Sequence, residues 1–309
     1  MQLIRGLPES LAQPTAVAIG NFDGFHRGHQ AVIGAMKRAA EAYDLQPTIL
    51  TFEPHPRRYF DPGLPPFRIE RLRTKFARFM QEGVTLCVVP RFDAAFAAVT
   101  ADAFMNEVLV KRLNAKVVVT GENFAFGYKR AGDSALLKRW GSYNDVDIIL
   151  VPPVLVESVP CASSAIRVAV SKGDMKQAAR MLGRAYMLSG RVAHGDGRGR
   201  KLGFPTANLA LPDDLLLPAH GVYAVYAAIE NVTYPAVANL GIRPTFGGNS
   251  RPQLEVHLLD FVQEIYGKTM RVFFSDFLRP EMTFDGIGSL ALQIRKDCDQ
   301  ARQRLGGLA

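Results

Sequence analysis

The feature that most constrains the fold of this chain is a change of pattern near residues 183–187. Before it, short apolar runs alternate with helical segments; after it, strand-like runs follow one another with turn signals between them. In the first part Ala16–Ile19, Thr48–Phe52, Thr85–Val89, Lys116–Val119 and Val146–Val151 have the length and β-branched or apolar character of strands. Helices are expected at Gly28–Tyr43, Ile69–Gln81, Ala101–Lys111 and Ser134–Trp140. In the second of these, Ile69, Leu72, Phe76 and Phe79 recur at near-helical spacing, which leaves Arg71, Arg73, Lys75 and Arg78 for the surface. Strand–helix alternation predicts a mostly parallel sheet with helices on both faces. Ligands of such sheets bind beyond the strand C-termini, at the switch point. Ser163 to Leu182 reads as one or two helices, broken at Gly173 and ended by Gly183. The later strand candidates are Met187–Val192, Val222–Ile229, Thr233–Leu240, Gln253–Leu259 and Met270–Phe277, with a hairpin turn at Glu230-Asn231. They predict a small antiparallel barrel. A last helix runs from Asp285 to about Leu305. The expected organisation is two domains, 1–182 and 183–309.

Composition narrows the class. With 309 residues, 48% of them hydrophobic, there is apolar material for two cores and no signature of disorder. No apolar run is long enough to span a membrane. Met1 to Gln13 lacks the basic start and apolar stretch of a secretory signal, so a cytoplasmic location is expected. Cys87, Cys161 and Cys298 are too few and too scattered for a disulfide framework or a zinc site. A net charge of +8 without a dense basic tract suits nucleotides and other anionic small molecules. A basic nucleic-acid-binding protein is the competing reading, but no reading module or aromatic-rich basic face supports it.

The first strand candidate runs into Gly20-Asn21-Phe22-Asp23-Gly24-Phe25-His26-Arg27-Gly28-His29, and a helix follows. Strand, glycine-rich turn and helix N-terminus form a phosphate-binding layout, because free backbone N–H groups there attract anions. Gly28 allows close approach of a phosphate or ribose. His26 and His29, three residues apart, are placed to face one ligand and to stabilise charge on an α-phosphate. Metal ligation or an ordinary surface turn are the competing readings for this pair. Three further segments fall at sheet ends: Thr51-Phe52-Glu53-Pro54-His55-Pro56, Gly121-Glu122-Asn123-Phe124-Ala125-Phe126-Gly127 and Ala162-Ser163-Ser164-Ala165-Ile166-Arg167. Each has a bland account as a stiff loop, a packed turn or an N-cap.

In the second part, the stretch from His194 to Asn208 is dense in glycine and basic residues, including Gly199, Lys201 and Gly203. It is neither a Walker A motif nor a Rossmann fingerprint. Its backbone N–H groups and basic side chains could surround a polyphosphate, and a mobile surface turn would look similar. Thr206 and Asn208, at i and i+2, point to one side of an extended chain and could share a Mg²⁺ with phosphate oxygens. An Asx or Ser/Thr turn is the alternative. Glu255 and His257 share one face of a strand, and a carboxylate facing a barrel mouth could deprotonate a primary alcohol.

The first part resembles the FMN adenylyltransferase module of prokaryotic FAD synthetases. The resemblance rests on the phrase from Gly20 to His29, the Gly121–Gly127 segment, and the helix start at Ser163, Ser164, Ile166 and Arg167. The second part resembles riboflavin kinase through Gly203-Phe204-Pro205-Thr206-Ala207-Asn208, Gly221-Val222-Tyr223-Ala224, Asn239 to Phe246 and Leu254 to Phe261. The resemblance implies a Rossmann-like α/β nucleotidyltransferase domain followed by a six-stranded antiparallel Greek-key β-barrel with a C-terminal helix. It implies that riboflavin is phosphorylated to FMN, and that FMN is then adenylylated to FAD with release of pyrophosphate. His26 and His29 would handle the ATP phosphates, with Gly20, Asn21, Phe22, Asp23, Gly28, Asn123, Ser163, Ser164 and Arg167 around the nucleotide. In the barrel, Gly199, Lys201 and Gly203 would lie along the phosphates, Thr206 and Asn208 would hold MgATP, and Glu255 would be the catalytic base. The expected partners are ATP, riboflavin, FMN and FAD, with no nucleic acid and no membrane; a weak homo-oligomer is left open. A nucleotidyltransferase acting on another phosphorylated acceptor is the nearest alternative.

Overall fold

The computed structural model describes residues 1–194, 199, 202–243 and 251–306. They form two compact units, Met1–Ser163 and Ser164–Ala309.

The first unit is built on a six-stranded parallel sheet. Its strands lie in the order Gln2–Arg5, Leu86–Val89, Gln46–Leu50, Thr15–Ile19, Ala115–Gly121, Asp147–Val151. From the central strand Thr15–Ile19 the chain first adds strands on one side, then returns to add Ala115–Gly121 on the other. The switch point is therefore at the C-terminal end of Thr15–Ile19, where the glycine-rich phrase begins. Alternation along this strand explains the two cores. Ala16 and Ala18 face Ile33, Met36 and Ala40 of helix Arg27–Ala42. Val17 and Ile19 face the opposite side, with Phe104, Leu109, Leu137 and Trp140. Each fully buried Ile, Leu or Met contributes roughly 1.5–3 kcal/mol relative to exposure, so both faces need cover. The five expected strands are present within two residues at each end. The expected helix from Ala101 is α-helical only to Ala103 and continues as a π-helix, Phe104–Arg112. Gln2–Arg5 was too short to show a period in the sequence; it pairs in parallel with Leu86–Val89 at the sheet edge.

The second unit is a closed antiparallel barrel. Its order is Tyr186–Ala193, Ala207–Ala210, Arg251–Leu258, Val232–Arg243, Gly221–Ile229, Thr269–Arg279, and back to the first strand. Ala207–Ala210 pairs with Arg251–Leu258 rather than with the next strand in sequence, which gives the Greek-key connection. Tyr223, Val225, Ala238, Leu254, Val256 and Phe274 are all at most 1% exposed and fill the interior. Helix Ile287–Leu305 covers the outer wall, burying Cys298, Ala301 and Leu305 against Val222, Ala224 and Val237. Helices Ser163–Ser171 and Met175–Leu182 are separated at Gly173, and the second ends on left-handed Gly183. Both fall almost wholly within the barrel unit. Lys176 pairs with Asp276 at 2.8 Å, and Ala219 N–H donates to the Val170 carbonyl. The compact division at Ser163 therefore precedes the change of pattern near residues 183–187.

Candidate functional site

In the sheet unit, the phrase from Gly20 to His29 is a tight turn with Phe22, Gly24 and Phe25 at positive φ. Residues Phe22 and Phe25 adopt this unusual conformation because their rings are buried on Phe79, at centroid distances of 5.6 and 5.7 Å. At Gly24, a Cβ would lie 2.8 Å from the Ile69 side chain, so only glycine fits. His26 is the N-cap of helix Arg27–Ala42, its Nδ1 accepting from His29 N–H at 3.4 Å. That acceptor role leaves Nε2 as the N–H side of the ring. The imidazoles of His26 and His29 stack at 3.6 Å between centroids, so both lie at the opening of the helix. A Cβ on Gly28 would sit 3.0 Å from the His26 ring and 3.2 Å from the Cys161 carbonyl. The side chain of Ser163 donates to the Asp23 carbonyl at 2.8 Å, tying residues 161–163 to the motif turn.

The remaining residues expected here differ in how they are placed. Gly20 N–H donates to Leu50 O, which seats the turn on the neighbouring strand. Phe22 is 1% exposed and belongs to the core. The Asp23 carboxylate accepts from the backbone N–H groups of Ile69 and Glu70 at 3.0 and 3.1 Å, so it holds the turn to a second segment. Asn123 is exposed on a turn closed by Phe124 N–H to Gly121 O, with Phe124 and Phe126 stacked beside it. Ser164 and Arg167 belong to the second unit.

Two surface assignments are overturned. Lys75 was assigned to the helix surface by spacing, but its side chain is 2% exposed. Its Nζ donates to the Asn21 carbonyl at 3.0 Å and lies 3.6 Å from Glu53, which is also paired with Arg68. Burial lowers the Lys75 pKa from its usual 10.5, with Glu53 and Asp23 opposing the shift. Arg78 is also drawn inward, pairing with the buried Glu70 at 2.7 Å. Spacing along the helix could not find these contacts because every partner, Asn21, Glu53 and Glu70, lies outside the helix. His55 of the Glu53–Pro56 segment is the N-cap of the short helix Pro56–Phe60, accepting from Arg57 N–H.

In the barrel unit, strand register assembles the site. Antiparallel pairing places Asn208 opposite Glu255, Glu255 opposite Asn239, and Asn239 opposite Val222. These four residues form one row across the outer wall, since Leu254 and Val256 on either side of Glu255 point into the barrel. Glu255 therefore faces a groove between the wall and helix Ile287–Leu305, not a barrel mouth. The groove also includes Gly199, Thr206, His257, Arg279 and Asp297. A second hollow, lined by Val192, Phe261, Val262 and Tyr266, meets the first at Thr206 and Asn208. Gln253 donates to Asn208 Oδ1, and His257 Nδ1 donates to the Pro205 carbonyl at 2.8 Å. The Gly199 carbonyl accepts from Leu202 and Phe204 N–H groups. Gly203 is exposed at φ +86°, and Lys201 lies outside the described residues. Three contributors escaped the sequence reading. Asn239 opens the phrase that ends at Phe246, but only register places it beside Glu255. Arg279 and Asp297 form a bidentate pair in the groove wall, with contacts of 2.8 to 3.2 Å, and Gln293 also donates to Asp297.

Comparison with known proteins covers both units. Residues 9–165 match the FAD synthetase family and residues 182–305 match the riboflavin kinase family. The chain is 38% identical over 310 residues to a bifunctional riboflavin kinase/FMN adenylyltransferase of Escherichia coli (strain K12), covering 99% of this chain and 98% of that protein. It is 39% identical to the enzyme so named in Haemophilus influenzae, covering 98% of each, and 35% identical to that of Pseudomonas fluorescens, covering 98% and 97%. A crystal structure from Streptococcus pneumoniae, described as a macrolide-efflux protein, is similar with a TM-score of 0.89 and 33% identity, covering 97% of this chain and 98% of that one. Among the described residues of this chain, no helix is long and apolar enough to cross a membrane. With 35–39% identity carried through both units, the chain belongs to the family of bifunctional riboflavin kinases and FMN adenylyltransferases.

Proposed function

We infer that the chain makes FMN in its barrel unit and FAD in its sheet unit, with ATP as co-substrate of both steps. The observation that carries this reading is that each unit has a site of its own. One presents paired imidazoles at a helix N-terminus, and the other a carboxylate between two asparagines on a barrel wall.

In the barrel, Glu255 takes the proton from the ribityl 5′-hydroxyl as that oxygen attacks the γ-phosphorus of ATP. The flavin lies in the groove against helix Ile287–Leu305, and the nucleotide in the adjoining hollow. Thr206 and Asn208, where the two hollows meet, are the point of phosphoryl transfer. A hydroxyl and an amide carbonyl are hard oxygen donors, which suits magnesium carried largely by phosphates and water. The Gln253 amide fixes Asn208 Oδ1, an oxygen with a second lone pair to offer a cation. Magnesium held there would neutralise charge on the transferred group. Gly199, Lys201 and Gly203 follow the polyphosphate.

In the sheet unit, the FMN phosphate attacks the α-phosphorus and pyrophosphate leaves. The nucleophile is already ionised, so catalysis is positioning and charge stabilisation, without a protein base. The Nε2 side of His26, the imidazole of His29 and the N–H groups at the start of helix Arg27–Ala42 receive the phosphates. Gly20, Asn21, Phe22, Asp23 and Gly28 shape the turn, and Asn123 and Ser163 contact the nucleotide. The cytoplasm is the site of action, in keeping with three buried cysteines that remain thiols.

The test is product analysis. Purified protein with riboflavin and MgATP should give FMN first and FAD second, in stoichiometry with ADP and pyrophosphate. Unchanged riboflavin, together with failure to adenylylate supplied FMN, would refute the reading.

A further inference from the structure

The buried Lys75 is not explained by either reaction as described, and its surroundings are specific. It reaches the adenylylating turn from helix Leu72–Gln81, where its amine donates to the main-chain carbonyl of Asn21. Thr51 Oγ1 donates to the same oxygen at 3.3 Å. That carbonyl belongs to the second residue of the motif turn, immediately before Phe22 at positive φ. A side-chain ammonium taken out of water is costly unless paired and hydrogen-bonded. A methionine or leucine would fill the same space without that cost. The amine instead stands where Glu53 lies 3.6 Å away and Arg68 pairs with the same carboxylate, so the arrangement is a built network. The same segment grips the turn twice more, through Asp23 on the Ile69 and Glu70 N–H groups and through Phe79 on Phe22 and Phe25. Lys75 is thus the polar member of a three-part buttress under the turn. Above it, the Asn21 side-chain oxygen is buried and has no hydrogen-bond partner among the described residues, as expected for an acceptor that awaits a donor from the nucleotide.

We propose that Lys75 is a positioning residue for adenylyl transfer: by holding the Asn21 carbonyl, it sets both the Asn21 amide and the path of the turn to His26 and His29. The residue touches no substrate. It acts through the turn, and a small displacement of the phosphate donors from the in-line geometry reduces turnover more than binding. The inference rests on the adenylylation reading of the sheet unit, and the kinase of the barrel unit serves as an internal control for intact protein.

The experiment compares Lys75→Met, Lys75→Arg and Thr51→Val in the full chain, with rates normalised to the folded fraction of the sheet unit. Lys75→Met keeps an unbranched side chain, one atom shorter, and removes the donor. It should lower kcat for FAD formation at least tenfold, with the KM for ATP within threefold and riboflavin phosphorylation within twofold of the parent. Lys75→Arg, which keeps a cationic donor, should recover a substantial part of that loss. Thr51→Val removes only the weaker donor and should lower kcat two- to fivefold. A folded Lys75→Met protein with kcat within twofold of the parent overturns the proposal. So does a loss that Lys75→Arg fails to relieve while the unit remains folded. If Lys75→Met does not fold, Thr51→Val decides alone, and unchanged kcat there sinks the idea. Absence of FAD formation in the unmodified protein would instead remove the underlying reading.

Discussion

The two units solve the same problem, gripping a nucleotide triphosphate, by different means. In the barrel the candidate groups project from paired strands, and the hydrogen-bond ladder fixes their spacing before any side chain is considered. In the sheet unit the candidate groups sit on a turn and a helix end, which no ladder holds. That turn needs a second layer: Asp23 on two backbone N–H groups, Lys75 on the Asn21 carbonyl, and three phenyl rings packed together. A strand site is preorganised by its own secondary structure, whereas a turn site borrows rigidity from a distant segment.

The largest effect that would test this contrast is at Glu255. Glu255→Gln should lower riboflavin phosphorylation by about 10³-fold, within the span general-base catalysis supplies. It should spare adenylylation of supplied FMN and leave the melting of the protein unchanged. Equal loss of both steps in a folded protein would break the division between units. Next is the groove wall. Arg279→Met leaves Asp297, 3% exposed, with a buried charge and no cation. The expected cost is about 3 kcal/mol of barrel stability, in the range for breaking a buried pair, measured by denaturant unfolding of the variant. Little change would mean that water reaches the groove wall freely.

His29→Ala should reduce FAD formation about a hundredfold, or roughly 3 kcal/mol of barrier, the size expected for one charge-stabilising donor. Kinase turnover should be untouched. The smallest effect concerns the buttress and pH. Lys75 has a folded pKa below its unfolded value, so between those two values the unfolded chain binds more protons. Stability from this group therefore rises with pH as 10.5 is approached from below. The melting temperature of the parent should gain on that of Lys75→Met as the buffer is made more alkaline. An opposite trend would show that Glu53 and Asp23 outweigh burial.

Strand and helix positions were legible because their signal is local. Thr15–Ile19 and Gly221–Ile229 show in any window that contains them, and Gly183 marks its helix end through a left-handed φ that glycine favours. Short elements such as Gln2–Arg5 and Ala207–Ala210 offer fewer than three repeats of a two-residue period, too few to read. The candidate residues were legible as a set of chemistries, but not in their roles. Phe22 and Asp23 stand in the motif like ligand contacts, yet one is core and the other clamps Ile69 and Glu70. Asn239 opens one of the phrases shared with riboflavin kinase, yet nothing in that phrase sets it beside Glu255; only register does.

By itself the sequence determined the two kinds of architecture, the order of their elements and the chemical types at each site, since these depend on periodicities and phrases within about ten residues. Only the tertiary structure decided that Lys75 is buried rather than on the surface, that Glu255 faces a groove outside the barrel, and that Arg279 meets Asp297. Each of these depends on which distant segments share one space. The free energy of a charged side chain is set by the groups that replace its water, and for Lys75 those groups are Asn21 and Glu53, at least twenty residues away in the chain.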